Sequence, residues 1–167
     1  VRFAQVVLSR MTRTDHATGT DRLAEVAAAL PCRIVVNVQG DEPLLDPAVI
    51  DAVVQPLIDD ASREMATACR LLVSPHEYAS PAVVKVVRDL SGRAMYFSRA
   101  PIPHERDGAG GVPGMARAHL GIYAYRRDFL LQLATLPPSP LEEIEQLEQL
   151  RVLENGHDIL VVPVTYD

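Results

Sequence analysis

Short runs of apolar residues alternate along the chain with segments whose apolar residues recur at helical spacing. Runs rich in Val, Ile and Leu predict strands, and the amphipathic segments predict helices. The predicted strands cover residues 3–8, 34–38, 65–73, 119–125 and 158–164. The predicted helices cover residues 21–30, 47–57, 128–136 and 140–155. The nearly continuous β-branched run at 34–38 predicts a strand that is buried on both faces.

Several helix boundaries carry capping residues. Thr20 or Asp21 is the expected N-cap of the first helix, and Asp46 followed by Pro begins the second. The last helix has the clearest pattern, because Ser139 precedes a Pro at the first helical position and Glu142 completes a capping box. We expect this helix to be continuous and to bury a single stripe made of Leu141, Ile144, Leu147, Leu150 and Leu153.

Two further apolar runs predict an antiparallel hairpin. They cover residues 83–87 and 94–98 and flank the turn-forming stretch 89–93. Elsewhere strands and helices alternate, which predicts an α/β fold. We therefore expect a mixed, mostly parallel sheet with an antiparallel hairpin insertion.

The composition is that of an ordinary globular domain, with 48% hydrophobic and 23% charged residues among 167. No apolar run approaches the roughly 20 residues of a membrane span, so we expect no membrane insertion. The net charge of −6 argues against binding to nucleic-acid phosphates. Cys32 and Cys69 match no zinc or redox spacing, and we expect two reduced, buried thiols in a cytoplasmic protein.

Candidate chemistry begins directly after the predicted strand at 34–38. Open α/β sheets bind ligands beyond the carboxyl ends of their strands, and residues 39–43 (QGDEP) lie there. Gln39 can recognise a hydroxyl or a base edge, and Asp41 can hold Mg²⁺ beside phosphates. An ordinary strand-to-helix turn has a similar composition, so both interpretations stay open.

The other candidates are scattered along the chain. Arg99 ends a predicted strand, where its guanidinium suits either a ligand carboxylate or a structural ion pair. Arg106 lies in a Pro- and Gly-rich loop and is either a solvated charge or an anion contact. His119 is expected to be a hydrogen-bonded part of the scaffold, and the strong helix is expected to carry Glu145, Glu148 and Gln149 on a solvated face. These residue types together indicate an enzyme acting on a Mg²⁺-nucleotide or a sugar acid.

Five segments occur in a fixed order: TGTDRLAEV (18–26), VVNVQGDEPL (35–44), AMYFSRAPIP (94–103), HLGIYAY (119–125) and PSPLEEIEQLEQLR (138–151). In this order they resemble the 3-deoxy-manno-octulosonate cytidylyltransferases, also called CMP-KDO synthetases. The resemblance runs along essentially the whole chain. It implies a nucleotide-diphospho-sugar transferase-like (Rossmann-like) fold. It also implies that CTP and 3-deoxy-D-manno-octulosonate (KDO) give CMP-KDO and pyrophosphate with Mg²⁺, ahead of lipopolysaccharide inner-core assembly.

The resemblance also implies roles for individual residues. Asp41 is the implied catalytic metal ligand and Arg99 a second catalytic residue, while Thr20 and Gln39 are implied contacts on the CTP side. The implied KDO side consists of Arg99, Arg106, His119, Tyr123, Glu148 and Gln149. For His119, Glu148 and Gln149 these implied roles differ from the expectation based on residue type, which was a scaffold histidine and a solvated helix face. A cytoplasmic homodimer, formed with help from the hairpin, is implied as well.

The chain departs from the family pattern in three places. The family begins with a strand and a loop rich in Arg, Ser, Gly and Lys, and it ends with a GxDTPED motif that supplies a second metal ligand. We expect residues 1–167 to be a single nucleotidyltransferase domain that lacks both segments. His104 stands where the family has Trp. Two alternatives stay open: a cytidylyltransferase for 8-amino-KDO or another acidic sugar, and a truncated, non-catalytic fragment that dimerises or binds the sugar acid.

Overall fold

Strand β5 lies at the centre of the sheet in the computed structural model, which describes residues 10–16, 18–39, 46–106 and 112–165. The described strands are β1 (Ile34–Asn37), β2 (Met65–Leu71), β3 (Lys85–Arg88), β4 (Ala94–Ser98), β5 (Arg117–Arg126) and β6 (Leu160–Pro163). One edge of β5 pairs with β2, and the other edge pairs with β1 in one half and with β3 in the other. β4 lies beyond β3, and β6 lies beyond β2. The predicted strand at 3–8 is outside the described residues.

The α/β class and the hairpin are confirmed, but the expected dominance of parallel pairing is wrong for the described strands. Only β2 and β6 are parallel; the other described ladders are antiparallel. A parallel pair requires a long crossover, usually a helix. β5 instead follows the hairpin through a stretch whose described part contains no helix, so it enters the sheet in the reverse direction. Because it is central, it makes each of its ladders antiparallel.

Helices cover both faces of the sheet. They are α1 (Gly19–Ala28), α2 (Pro47–Asp59), α3 (Pro75–Ala79), α4 (Arg127–Leu133), α5 (Pro140–Glu145) and α6 (Leu150–Glu154). The side chains of α2 pack with alternate residues of β2 and β5, such as Ala66, Ile122 and Ala124. The helices α1, α4 and α6 cover the opposite face, where Met65 and Tyr125 lie. This second face carries the candidate site.

Two details of the predicted helices and strands are corrected. The N-cap of α1 is Thr18, before both expected positions, Thr20 and Asp21. The Thr18 hydroxyl accepts a hydrogen bond from the N–H of Asp21 (3.2 Å), and the Asp21 carboxylate accepts one from the N–H of Thr18. Gly19 is thus the first residue of the helix. β1 is half-buried along its length, not buried on both faces, since β5 is the only strand that pairs with it in the described part of the chain.

The predicted last helix is two short helices. α5 begins with the expected capping box, but Gln146 has φ 53° and ψ 49°, which ends the right-handed helix there. Four residues later α6 begins, and Gly156 follows it with φ 79°. The expected stripe is therefore broken: Leu141 and Ile144 are exposed to 37% and 78%, whereas Leu147 and Leu150 are buried.

Candidate functional site

A cleft of about 750 Å³ opens beside β5, between the residues that precede β3 and the end of β6. Its lining includes His119 and Gly121 from β5, Val83, and Thr165. Gln39 comes close to the same place, because a Cβ added to Gly121 would lie 3.4 Å from the Gln39 Cγ. The structure therefore brings the CTP-side candidate Gln39 near the KDO-side candidate His119.

His119 is held by a hydrogen bond whose direction follows from its partner. The Thr67 hydroxyl lies 2.9 Å from His119 Nε2 and also 2.7 Å from the carbonyl oxygen of Ile122. Carbonyl oxygens only accept, so the single hydroxyl proton of Thr67 is directed to a carbonyl. His119 Nε2 then carries a proton and donates it to Thr67. Nδ1 is left as a hydrogen-bond acceptor.

The ring of His119 is packed against aromatic neighbours. Its centroid lies 5.0 Å from that of Phe97 and 5.3 Å from that of Tyr123. Burial lowers the pKa of His119 from 6.5 to about 3. The ring is therefore neutral at neutral pH. The expected hydrogen bond is present, and the role of His119 toward a ligand stays a prediction. A neutral ring whose Nδ1 has no partner among the described residues also suits a sugar hydroxyl.

Four candidate residues line a small cavity between α1, β5 and the α5–α6 turn, together with the apolar side chains of Met65, Leu133 and Val152. They are Thr20, Tyr123, Glu148 and Gln149, joined by Tyr125. The Thr20 hydroxyl donates to Glu148 Oε2 at 2.8 Å. Glu148 Oε1 and Gln149 Nε2 are buried and have no hydrogen-bond partner among the described residues. The expectation that these two lie on a solvated face is wrong, because the left-handed turn at Gln146 directs them inward.

This cavity encloses only about 20 Å³, enough for one water molecule. Burial raises the pKa of both Tyr123 and Tyr125, and the charge of Glu148 raises it further, so both hydroxyls stay protonated. Tyr123 lines the cavity and its ring also lies next to His119 in the cleft. It thus connects the open cleft with the buried polar groups.

Arg99 is anchored by main-chain carbonyl groups. Its Nε donates to the carbonyl of Glu145 (2.8 Å), Nη2 to that of Gln146 (3.2 Å) and Nη1 to that of Pro81 (3.0 Å). A guanidinium has five N–H groups, so these bonds leave one on each terminal nitrogen. The structural ion pair considered from the sequence is replaced by carbonyl contacts. The role of Arg99 toward a sugar carboxylate stays a prediction.

Sequence reasoning missed two residues beside Arg99. Lys85 is fully buried, and its Nζ donates to the carbonyls of Ser80 (2.8 Å), Val83 (2.6 Å) and Arg99 (2.5 Å). Burial lowers the pKa of Lys85, while the nearby charge of Glu145 raises it. The sequence did contain a signal for a buried lysine, because a single Lys interrupts the β-branched run VVKVV at residues 83–87. Glu145 gave no signal among its acidic neighbours.

The remaining candidates are not brought into this cluster. Arg106 is exposed at the end of a described range, and Asp41 lies outside the described residues. Within those residues no group of three His, Cys, Asp or Glu side chains is placed to hold a metal ion. None of the helices there is long and apolar enough to cross a membrane. Both cysteines are free, Cys69 buried as expected but Cys32 only half-buried.

The fold and site define an α/β protein with a ligand cleft whose polar groups lie on and beside a central strand. The profile of the cytidylyltransferase family matches residues 2–159, and the chain belongs to that family.

Individual relatives agree with this assignment. The 3-deoxy-manno-octulosonate cytidylyltransferase of Solibacter usitatus (strain Ellin6076) is 54% identical over 158 residues, which cover 95% of this chain and 62% of that protein. The protein of the same name from Syntrophotalea carbinolica is 55% identical, over 92% of this chain and 64% of its own length.

A solved structure matches as well. The structure of CMP:2-keto-3-deoxy-manno-octonic acid synthetase complexed with CTP superposes with a TM-score of 0.87 at 42% identity, over 94% of this chain and 64% of that one. The predicted resemblance and nucleotidyltransferase fold are therefore confirmed. The chain spans a little under two thirds of the length of these relatives.

Proposed function

We propose that the full-length protein couples CTP to KDO and releases CMP-KDO and pyrophosphate. The observation that carries the proposal is the line of polar groups from the cleft to the buried cavity: His119, Tyr123, Glu148 and Gln149. It occurs in a chain that is 54% identical to a 3-deoxy-manno-octulosonate cytidylyltransferase. The same four residues were predicted for the sugar side from the resemblance alone.

The donors and acceptors along this line match a polyhydroxylated acid. Sugar hydroxyls both donate and accept, and the line offers the acceptors His119 Nδ1 and Glu148 Oε1 and the donor Gln149 Nε2. The cleft of about 750 Å³ is the space that can take the sugar, because the cavity beyond Tyr123 holds only a water molecule. Glu148 and Gln149 are therefore proposed to reach the sugar through that water. The two Arg99 N–H groups without a partner among the described residues are proposed to bind the sugar carboxylate, and Arg106 is a second proposed partner.

The proposed reaction is an in-line displacement at phosphorus. The 2-hydroxyl oxygen of KDO forms a bond to the α-phosphorus of CTP, the bond to pyrophosphate breaks, and the hydroxyl proton is released to solvent. Such chemistry asks the protein mainly to position its substrates. Gln39 beside the cleft is the proposed cytidine contact. Thr20 stays a proposed CTP-side contact, and its hydrogen bond to Glu148 also orients that sugar-side carboxylate.

Mg²⁺ is the proposed cofactor, with Asp41 as its protein ligand. Carboxylate and phosphate oxygens are the ligands Mg²⁺ prefers, and the bound ion would neutralise phosphate charge during the transfer. The proposal for Asp41 rests on its position in the QGDEP segment. The single nucleotidyltransferase domain over residues 1–167 is proposed on the same basis of resemblance.

A cytoplasmic homodimer is the proposed assembly. Leu90 and Met95 of the hairpin are exposed to 107% and 64%, which supports an apolar contact surface there. The two free cysteines fit a reducing compartment.

The test is pyrophosphate release from CTP, KDO and Mg²⁺ by the full-length gene product, with residues 1–167 alone measured in parallel. We expect release that requires both KDO and Mg²⁺ in the full-length protein. Release with 8-amino-KDO or another acidic sugar and none with KDO would reassign the substrate. No release with any acidic sugar would contradict the proposal and favour a non-catalytic binding role.

A further inference from the structure

Glu145 is the last residue of α5, and its carboxylate contacts strand β4. It accepts hydrogen bonds from the Ser98 hydroxyl (2.6 Å), from the backbone N–H of Arg99 (2.9 Å) and from the Tyr96 hydroxyl (3.4 Å). Burial alone would raise the pKa of Glu145, but these donors and the charge of Arg99 lower it. Glu145 is therefore an ionised acceptor for two donors on β4 and a third directly after it.

Arg99 in turn donates hydrogen bonds to the end of α5. Its guanidinium donates to the carbonyls of Glu145 and Gln146, while its own carbonyl accepts from the buried ammonium of Lys85. Side chain and main chain are thus bonded in both directions between β4 and the end of α5. A reciprocal arrangement of this kind leaves the end of α5 little freedom to move relative to the sheet.

The residue held between these contacts has an unusual backbone conformation. Gln146 has φ 53°, in the left-handed region that residues other than glycine adopt at an energetic cost. The chain then places Leu147 in the core and directs Glu148 and Gln149 toward Thr20 and Tyr123. A continuous helix would carry these two side chains to different positions, so the turn decides what faces the cavity.

We propose that Glu145 is a positioning residue, which fixes the turn at Gln146 so that Glu148 and Gln149 hold their unpaired polar atoms in the cavity beside the sugar cleft. The inference takes its substrate, KDO, from the proposed function. It adds Glu145, which is not among the proposed ligand contacts, to the residues that shape the site. Glu145 contacts β4 and does not line the cavity, so it acts through the turn.

The test compares three variants of the full-length protein. Glu145→Ala removes the acceptor, and Glu145→Gln keeps the size and an acceptor oxygen for the Arg99 N–H, with Ser98 able to turn its hydroxyl. Glu143→Ala removes an exposed carboxylate from the same helix and is the control. We expect Glu145→Ala to raise the KM for KDO roughly tenfold with the KM for CTP within about twofold. Glu145→Gln should stay within roughly threefold for both substrates, and Glu143→Ala should match the wild type.

Equal constants for Glu145→Ala and Glu143→Ala would overturn the inference, as would an equal rise in both KM values. Hydrogen exchange of the backbone amides at 147–152 gives a readout that needs no substrate. Faster exchange in Glu145→Ala than in Glu143→Ala supports the positioning role, and unchanged exchange contradicts it. If the wild type releases no pyrophosphate with KDO, the proposed function fails while this exchange measurement still decides about the turn.

Discussion

At the scale of single residues, the site is built from groups whose hydrogen-bond directions are fixed by neighbours. His119 shows this most clearly, because one bond to Thr67 sets its tautomer and the packing against Phe97 keeps it neutral. The sequence pointed to His119 but not to its neutral, Nε2-protonated form, since its partner Thr67 is 52 positions away in the chain. Glu148 was misjudged for a similar reason, because its donor Thr20 lies on the first helix.

The half-buried His119 predicts a dependence of stability on pH. Its pKa is about 3 when folded and about 6.5 when unfolded, so the unfolded chain binds more protons between these values. The contribution of His119 to stability is complete above pH 6.5 and is lost as the pH falls toward 3. Between pH 7 and 4.5, urea unfolding should show the wild type losing about 2 kcal/mol more than His119→Gln, which keeps a donor for Thr67.

The control for this prediction is His76→Gln, since His76 is exposed on α3. It should keep the acid sensitivity of the wild type. If His119→Gln and His76→Gln lose the same free energy of unfolding on acidification, the acid sensitivity originates elsewhere in the protein.

At the scale of elements, the sequence predicted the helix starts and the hairpin turn, because residues close together in the chain determine both. The capping residue Asp46, the capping box at Ser139 and the hairpin around residues 89–93 are all present as expected. The helix break at Gln146 was not predictable from the sequence, because the spacing of Leu and Ile residues continues through it. The break depends on the contacts of Glu145 with β4, and those partners are more than 40 positions away.

The left-handed conformation of Gln146 predicts opposite effects of two substitutions. Gln146→Gly should raise the free energy of unfolding by about 0.5–1 kcal/mol, because glycine adopts this conformation without strain. Gln146→Val should lower it by about 1–2 kcal/mol, since a β-branched side chain is most strained there. Gln132→Gly, in the right-handed helix α4, is the matched control and should lower it by about 1 kcal/mol. A loss of stability in Gln146→Gly as large as that in the control would contradict the assigned conformation.

At the scale of the whole molecule, the fold depends on β5, which pairs with three other strands and separates the two helical layers. No sequence pattern reveals that a strand late in the chain enters the sheet between earlier ones, so the parallel arrangement was the wrong default. The end of β5 also joins both layers. Arg126 donates to carbonyls at the end of α2, and Arg127 donates to carbonyls at the end of α1.

These adjacent arginines predict how the two layers cooperate. Arg126 contacts the carbonyls of Leu57, Asp60 (3.0 Å) and Arg63 (2.9 Å), and Arg127 contacts those of Ala27 and Ala28 (both 3.0 Å). A lysine cannot bond several carbonyls in this fixed geometry, so Arg126→Lys and Arg127→Lys should each lower the free energy of unfolding by about 1–2 kcal/mol.

Because the two side chains bind different helices on opposite faces of the sheet, the double variant should lose the sum of the two within about 0.5 kcal/mol. All variants should still unfold in one transition, since β5 contributes to both layers. Arg63→Lys, which changes a partly exposed ion pair with Asp60, is the control and should cost under about 0.5 kcal/mol. Separate transitions in the double variant would show instead that the layers unfold independently and that the arginines, more than the strand between them, hold the layers together.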